Sequence, residues 1–196
     1  MRLVLASSNA GKLRELDALL RPFGYELVRQ SELGIESPPE TGDTFEANAL
    51  LKARHASRLA NLPAIADDSG IEVDALGGRP GVYSARYAGE GATDQQNLEK
   101  LLVELQGVPD EKRTARYQCV IALVQSGDDP APLIATGVWE GRIIRTPRGT
   151  GGFGYDPIFL PAGLTRTAAE LSASEKNEIS HRAQALRALA SKLRGV

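Results

Sequence analysis

The sequence predicts an α/β protein, a mixed sheet with helices on its faces. Two observations predict it. Short apolar runs alternate with amphipathic helical stretches through the whole chain. The helical stretches open on capping residues and close on glycine or proline, so their ends can be read without any structure.

The elements follow in order. Arg2 to Ala6 is a short apolar strand, and Ser7-Ser8-Asn9-Ala10-Gly11-Lys12 is a polar turn. A helix then carries Leu13, Leu16, Leu19 and Leu20 on one face and ends at Pro22 and Gly24. Tyr25 to Arg29 is a second strand, and Ser37-Pro38-Pro39 a loop. Asp43 and Glu46 form a capping-box pattern for a helix that runs to about Asn61, with Phe45, Ala49, Ala53, Ala56 and Ala60 facing inward. Ala64 to Ala66 reads as a buried strand that stops at Asp67-Asp68-Ser69-Gly70, with extended chain resuming at Ile71 to Val73.

After the loop Gly77 to Gly81, Thr93 and Gln96 cap a helix lined by Leu98, Leu101, Leu102 and Leu105. Arg113 to Gln125 is a long strand with Ala115, Tyr117, Cys119, Ile121 and Leu123 on one face. Leu133 to Ile144 holds one or two strands. Gly149 to Gly154 is glycine-rich, and the last helix sets Ile179, Ala183, Leu186, Ala190 and Leu193 on one stripe. No internal repeat or low-complexity tract interrupts this order.

The 196 residues suffice for one domain, or two small lobes around a shared sheet, with a core that needs no staples. Hydrophobic residues at 42% and charged residues at 24% exclude a disordered chain. The single cysteine, Cys119, rules out an internal disulfide and fits a reducing compartment. Leu3 to Ala6 is too short for a signal-peptide core and no stretch has membrane-spanning length, so the expected location is the cytoplasm, with no membrane partner. A net charge of −2 gives no basic field to attract nucleic acid. A phosphate-bearing ligand must be held by a few placed lysines and arginines.

Four segments carry chemistry. Strand, polar turn and helix at Ser7 to Lys12 suit phosphate, because a first helical turn offers unpaired N–H groups and a positive dipole end. The Walker A spacing is missing, and a plain serine or asparagine cap with an exposed lysine reads equally from the same residues. Asp67 and Asp68 are either Asx-turn residues or a metal site. Mg²⁺ takes one or two carboxylates and leaves the rest to water and phosphate, so one aspartate with Glu40 would suffice. Strand alternation sends the two aspartates to opposite faces, so one of them serves a cleft.

Gly149 to Pro157 surrounds Phe153 with glycines, which lets the backbone approach a ligand and leaves the ring accessible for stacking; the competing reading puts Phe153 in the core. Lys176, His181 and Arg182 are donors suited to a 6-oxopurine, or else a solvated helix face. His55 reads as a surface or packing residue.

Together these segments resemble the inosine/xanthosine triphosphate pyrophosphatase family, in order and over nearly the whole chain. The resemblance rests on Ser8 to Lys12, Glu40-Thr41-Gly42, Asn48-Ala49, Ala66 to Gly70, Leu76 to Tyr87, Gly152 to Pro157 and Ser180-His181-Arg182. It implies an elongated mixed sheet with two lobes and a central substrate cleft, a single pyrophosphatase domain over residues 1–196, Mg²⁺ as cofactor and a homodimer. It implies hydrolysis of dITP, ITP and XTP to the monophosphate and pyrophosphate. Ser7, Ser8, Asn9, Ala10, Gly11 and Lys12 would hold the triphosphate, and Asp68 would be catalytic and a metal ligand, with Glu40 as a second ligand. Ser69 would contact substrate. Phe153, Gly154, Tyr155 and Asp156 would form the base and sugar pocket, completed by Lys176, His181 and Arg182.

Two positions depart from the family pattern. The turn begins Ser7-Ser8-Asn9 where many relatives have Thr-Gly-Asn, and Pro39 stands where bacterial relatives often carry a second acid beside Glu40. The rival readings are a pyrophosphatase for modified pyrimidine triphosphates on a related fold, and a nucleotide-binding module without turnover.

Overall fold

The computed structural model describes residues 1–7, 16, 17 and 20–195. Six strands form one sheet: β1 (Arg2–Leu5), β2 (Glu26–Arg29), β3 (Ala64–Val73), β4 (Thr114–Val124), β5 (Leu133–Ile143) and β6 (Phe159–Pro161). Their order is β2-β1-β3-β4-β5-β6. β1 runs parallel to β2, with Leu3 opposite Leu27, and parallel to β3, with Val4 opposite Ala64. β5 and β6 are antiparallel, with Arg142 opposite Leu160. The sheet is therefore mixed, as the alternation of elements predicts. Among the described residues four α-helices with defined bounds accompany it: α1 (Phe45–Ala60), α2 (Asp94–Glu104), α3 (Ala173–Ile179) and α4 (His181–Arg194). Leu16, Asp17 and Leu20 are also helical, and Leu16 and Leu20 are buried, in keeping with the first predicted helix.

The chain divides into two compact units. The first comprises Met1–Asp68, Cys119–Gly137 and Gln184–Val196, and the second comprises Ser69–Gln118 and Val138–Ala183. Each has its own core. In the first, Leu3, Leu5, Ile65, Ile121, Leu123 and Leu189 pack together. In the second, Ile71, Leu98, Leu101, Tyr117, Trp139 and Phe159 do so. Phe159 is fully buried and meets the Trp139 ring edge-on at 5.3 Å and the Tyr117 ring at 4.8 Å. Such pairs add about 0.5–1.5 kcal/mol beyond the area they bury.

Local chemistry sets the helix ends. The capping box at Thr93 and Gln96 forms as predicted, with Gln96 N–H donating to Thr93 Oγ1 and Thr93 N–H to Gln96 Oε1. The predicted box at Asp43 and Glu46 does not. Thr44 is the cap, accepting from Ala47 N–H at 3.1 Å, because burial of Phe45 sets the helix one residue later. Phe45, Ala49, Ala53 and Ala56 are buried along α1 as expected, while Ala60 is only half-buried.

Two further expectations are corrected. Asp67 to Gly70 is no turn: β3 continues through it from Ala64 to Val73, and both aspartates are buried within the strand. The last helix is two. α3 ends at Ile179, which is exposed, and Ser180 takes an extended conformation, with its Oγ accepting from Ala183 N–H to start α4. The stripe from Ile179 to Leu193 is thus broken after its first member. Leu133 to Ile143 is a single strand.

Candidate active site

In the first unit, α1 and β3 build a charged cluster. Asn48 is buried and clamps the loop before α1. Its Oδ1 accepts from Gly42 N–H at 2.8 Å, and its Nδ2 donates to Gly42 O at 3.2 Å. That clamp fixes the segment holding Glu40. One turn further along the same helix face stands Lys52. Its ammonium donates to Asp68 Oδ1 at 2.8 Å and to Glu40 Oε1 at 2.9 Å. The two carboxylates named from the sequence therefore converge on one cation position. Asp68 Oδ2 is buried and has no hydrogen-bond partner among the described residues.

Burial is the main influence on Asp68. It pushes the carboxyl above its ordinary value against the pull of Lys52, and the nearby Glu40 charge adds to the rise. Burial works the other way on Lys52, but the charges and hydrogen bonds of Asp68 and Glu40 outweigh it and hold the ammonium above its ordinary value. A carboxylate that shares one cation with a second carboxylate is under-compensated, while the cation is over-compensated.

This donor set fits a hard divalent ion. Both groups are carboxylate oxygens already placed around one cation position, and Mg²⁺ needs only one or two protein carboxylates. Among the described residues there is no group of three or more His, Cys, Asp or Glu placed to hold a metal. The protein's share would be small and the remainder would come from substrate and water.

Ser7 is half-buried after β1, whereas Ser8, Asn9, Ala10, Gly11 and Lys12 lie outside the described residues.

In the second unit, Ser69, Tyr117, Phe153, Gly154, Tyr155 and His181 are among the residues that line a cavity of about 120 Å³. Pockets that enclose a whole drug-sized ligand begin at about 300 Å³. This one takes a flat portion of a ligand, on the scale of one base. His181 forms its aromatic wall. The imidazole is buried and stacks on Tyr117 at 4.8 Å with the planes 11° apart. The reading of His181 as part of a solvated helix face is thereby overturned. Phe153 is not a core residue either: it is 57% exposed, with Lys176 Nζ 4.6 Å over its ring.

Asp156 organises the wall from beneath. It is buried, pairs with Lys176 Nζ through Oδ2, accepts from Phe153 N–H at 2.9 Å, and accepts from Tyr117 O–H at 3.3 Å. Tyr155 is buried too, its hydroxyl donating to Ser84 O at 2.8 Å. Burial pushes both tyrosine hydroxyls above their ordinary range, helped by Asp156 at Tyr117 and by Tyr87 and Asp94 at Tyr155. Gly152 owes its identity to this arrangement. Its φ is +72°, and a Cβ there would stand 2.0 Å from Asp156 Oδ2. At this position the glycine is needed by the protein's own carboxylate rather than by a ligand. Arg182 is half-buried on the first turn of α4 and is not among the cavity's lining residues.

Sequence reasoning missed Lys52 and gave Asn48 and Tyr117 no role at the site. The signal for the first two was present: Asn48 and Lys52 are polar residues spaced i, i+4 along the inward stripe of an otherwise alanine-rich helix face. Tyr117 was legible only as one inward member of β4.

Comparison with known proteins identifies the family to which this cluster and this pocket belong. The Ham1 family model matches residues 3–192. The chain belongs to the Ham1 family. A dITP/XTP pyrophosphatase of Shigella flexneri is 58% identical over 193 residues, spanning 98% of each chain. The dITP/XTP pyrophosphatase of Escherichia coli K12 is 56% identical over the same length. Among solved structures, a HAM1 protein from Coxiella burnetii superposes with a TM-score of 0.96 at 50% identity over all of both chains. A nucleoside-triphosphatase (dITP/XTP pyrophosphatase) from Mycobacterium abscessus gives 0.84 at 46% identity, over 96% of this chain and 97% of that one. The Ham1 fold is the α/β mixed sheet that the sequence predicts.

Proposed function

We propose that this Ham1 protein hydrolyses non-standard purine nucleoside triphosphates (dITP, ITP and XTP) to the monophosphate and pyrophosphate, acting as one pyrophosphatase domain over residues 1–196. Its curated relatives carry the name dITP/XTP pyrophosphatase at 56–58% identity over nearly the full chain. The observation that carries the residue assignment lies on β3. Asp68 is the carboxylate gripped by Lys52, and the next residue, Ser69, is a wall of the aromatic pocket.

In this reading Phe153 stacks on the purine, with Gly154, Tyr155 and Asp156 shaping the pocket. Lys176, His181 and Arg182 donate toward the 6-oxo edge. A site built on donors rejects adenine, whose amino group would leave them unpaired. Ser7, residues Ser8 to Lys12, and Lys52 would hold the phosphate tail. Asp68 and Glu40 would hold Mg²⁺, which when bound neutralises charge on the phosphate oxygens. Asp68 Oδ2, which is buried and makes no hydrogen bond among the described residues, would accept a proton from the attacking water as it adds to the α-phosphorus and pyrophosphate leaves. We place the enzyme in the cytoplasm as a homodimer. No helix among the described residues is long and apolar enough to cross a membrane.

The test is pyrophosphate release from dITP, XTP, dGTP, dATP and dTTP, with Mg²⁺ and with EDTA. Metal-dependent turnover confined to dITP and XTP is expected. Faster turnover of modified pyrimidine triphosphates would move the protein to the pyrimidine-directed reading. Tight binding with no pyrophosphate from any substrate would make it a binding module. Sedimentation at micromolar concentration reads the dimer directly.

A further inference from the structure

The second unit holds another, larger cavity, of about 480 Å³, and it shares no lining residue with the aromatic pocket. It sits where β5 leaves the sheet beside β6. Arg142, Arg145 and Arg148 line it at three-residue intervals, with Ile144, Leu160 and Leu164 as apolar walls. The chemistry of those arginines is lopsided. Arg145 is anchored, its Nε donating to Asp110 Oδ1 at 2.7 Å and Nη2 to Val108 O at 3.0 Å. Arg148 is anchored through Nη2 to Thr165 O at 3.0 Å, with Glu170 at 3.6 Å. The Arg142 guanidinium has no hydrogen bond or ion pair among the described residues, although its backbone pairs with Leu160 in the sheet. Each guanidinium has five N–H donors, so even the anchored two keep most of theirs.

A fourth guanidinium lies directly behind. Arg113 is 2% exposed, and its hydrogen bonds go to two carbonyls, Ile143 O and Leu105 O, both at 2.9 Å. Ile143 itself lines the cavity. Among the described residues no carboxylate pairs with Arg113. Burial and then repulsion from Arg145 push its pKa down, against a smaller opposing pull from Asp110. Three guanidiniums therefore line this space and a fourth is bonded to the carbonyl of a wall residue, against Asp110 in the lining and Glu170 beside Arg148, in a protein whose net charge is −2.

We propose that this cavity is a second ligand site, which takes a small phosphate ester of nucleotide size. Three features set the class. Guanidinium forks match phosphate oxygens in pairs. The aliphatic walls cover the uncharged body of an organic ester, which inorganic phosphate lacks. A volume of about 480 Å³ lies within the range of pockets that enclose a small organic ligand, roughly 300–1,000 Å³. The site is independent of the hydrolytic reading, since none of its residues belongs to that assignment.

The experiment is calorimetric titration of the full-length protein with ATP in EDTA, which blocks metal-dependent hydrolysis, at two salt concentrations. Arg142 is the residue to change, because it carries no structural partner whose loss would confound the result. Wild type is expected to bind ATP at a site that Arg142→Ala weakens by about tenfold or more, the worth of a charged hydrogen bond, and that Arg142→Glu removes. Both variants should keep the wild-type melting temperature and the wild-type rate on dITP without added ATP. Inorganic phosphate should compete only weakly. Identical ATP binding by wild type and Arg142→Glu would overturn the proposal. So would a change of oligomeric state in Arg142→Glu without any ATP binding to wild type, which would make this face a contact between copies. Binding of polyglutamate but not ATP would overturn it in favour of an acidic protein partner.

Discussion

Replacing Lys52 with methionine isolates what the shared ammonium does. Methionine keeps the length and packing of the stem and removes the charge. Lys52, Asp68 and Glu40 side chains are 12%, 10% and 27% exposed, so the cluster is largely but not wholly out of water. Removing one partner of a fully buried pair costs about 3–5 kcal/mol. The residual solvent at Glu40 places the expected loss at the lower end, about 3 kcal/mol near neutral pH. For a chain of this length that lowers the melting temperature by roughly 6–12 °C.

The loss should depend on pH, with a definite sign. The folded Asp68 carboxyl titrates above its ordinary value of 3.8, so the native state holds its proton more tightly than the unfolded chain does. Stability contributed by that group is present below 3.8 and falls as pH rises through the raised native value. Without Lys52 the native value rises further, so the decline covers a wider window and the two proteins diverge as pH increases. Below the ordinary carboxylate range they should converge. At the alkaline end the gap narrows again. Lys52 stabilises wild type below 10.5 and that contribution fades as pH passes its higher folded value, a loss the variant cannot show.

Paired thermal melts from pH 3 to pH 11 read all of this, and pyrophosphate release from dITP over the same range reads the chemistry. The acid limb of kcat/KM should move to higher pH in Lys52→Met, and kcat should fall at least about a hundredfold, as when an electrostatic stabiliser of a developing charge is removed. A variant with wild-type melting temperature at pH 8 and an unmoved acid limb would refute the account of the cluster.

Three further outcomes are expected. Asp68→Asn should keep the fold at pH 8, since it removes an under-compensated buried charge, yet lose about a thousandfold or more in kcat; near-full activity would redirect attention to Asp67. Phe153→Ala should raise KM for dITP by about fivefold or more with kcat little changed, since stacking on a base is worth about 1–3 kcal/mol; steady-state kinetics decides. Tyr117→Phe removes only the hydroxyl that donates to Asp156 and leaves the ring on His181. It should narrow the dITP-to-dGTP preference by about two- to tenfold, the worth of one hydrogen bond, with melting temperature nearly unchanged.

How much of this was legible depended on the reach of each interaction. Thr93 and Gln96 bond to each other across three residues, and that cap was readable from the sequence. Asp43 and Thr44 are adjacent residues of equally good capping type, so local chemistry could not choose between them; the burial of Phe45 did. The misreading of Asp67 to Gly70 has the same origin. Two acids followed by Ser-Gly make a turn by local rules; the sheet, with β3 between β1 and β4, makes this segment a strand, and a lysine sixteen residues away compensates Asp68. The break at Ser180 lacks glycine or proline, so periodicity ran through it. The site residues Asp68, Phe153, Asp156 and His181 were legible as types in a pattern. Their partners Lys52, Asn48 and Tyr117 were not, because each acts by where the fold carries it.

The order in which the chain is made bears on the two compact units differently. The second unit is complete once residue 183 has been synthesised. The first begins with Met1 yet includes Gln184–Val196, and its core sets Leu3 and Leu5 in one cluster with Ala185 and Leu189. β1 must therefore wait for α4 before this core can close. A stop codon or proteolytic cut near residue 184 would spare every wall of the aromatic pocket and strip the first unit of its final wedge. C-terminal trimming is thus expected to surface as exposure of the N-terminus.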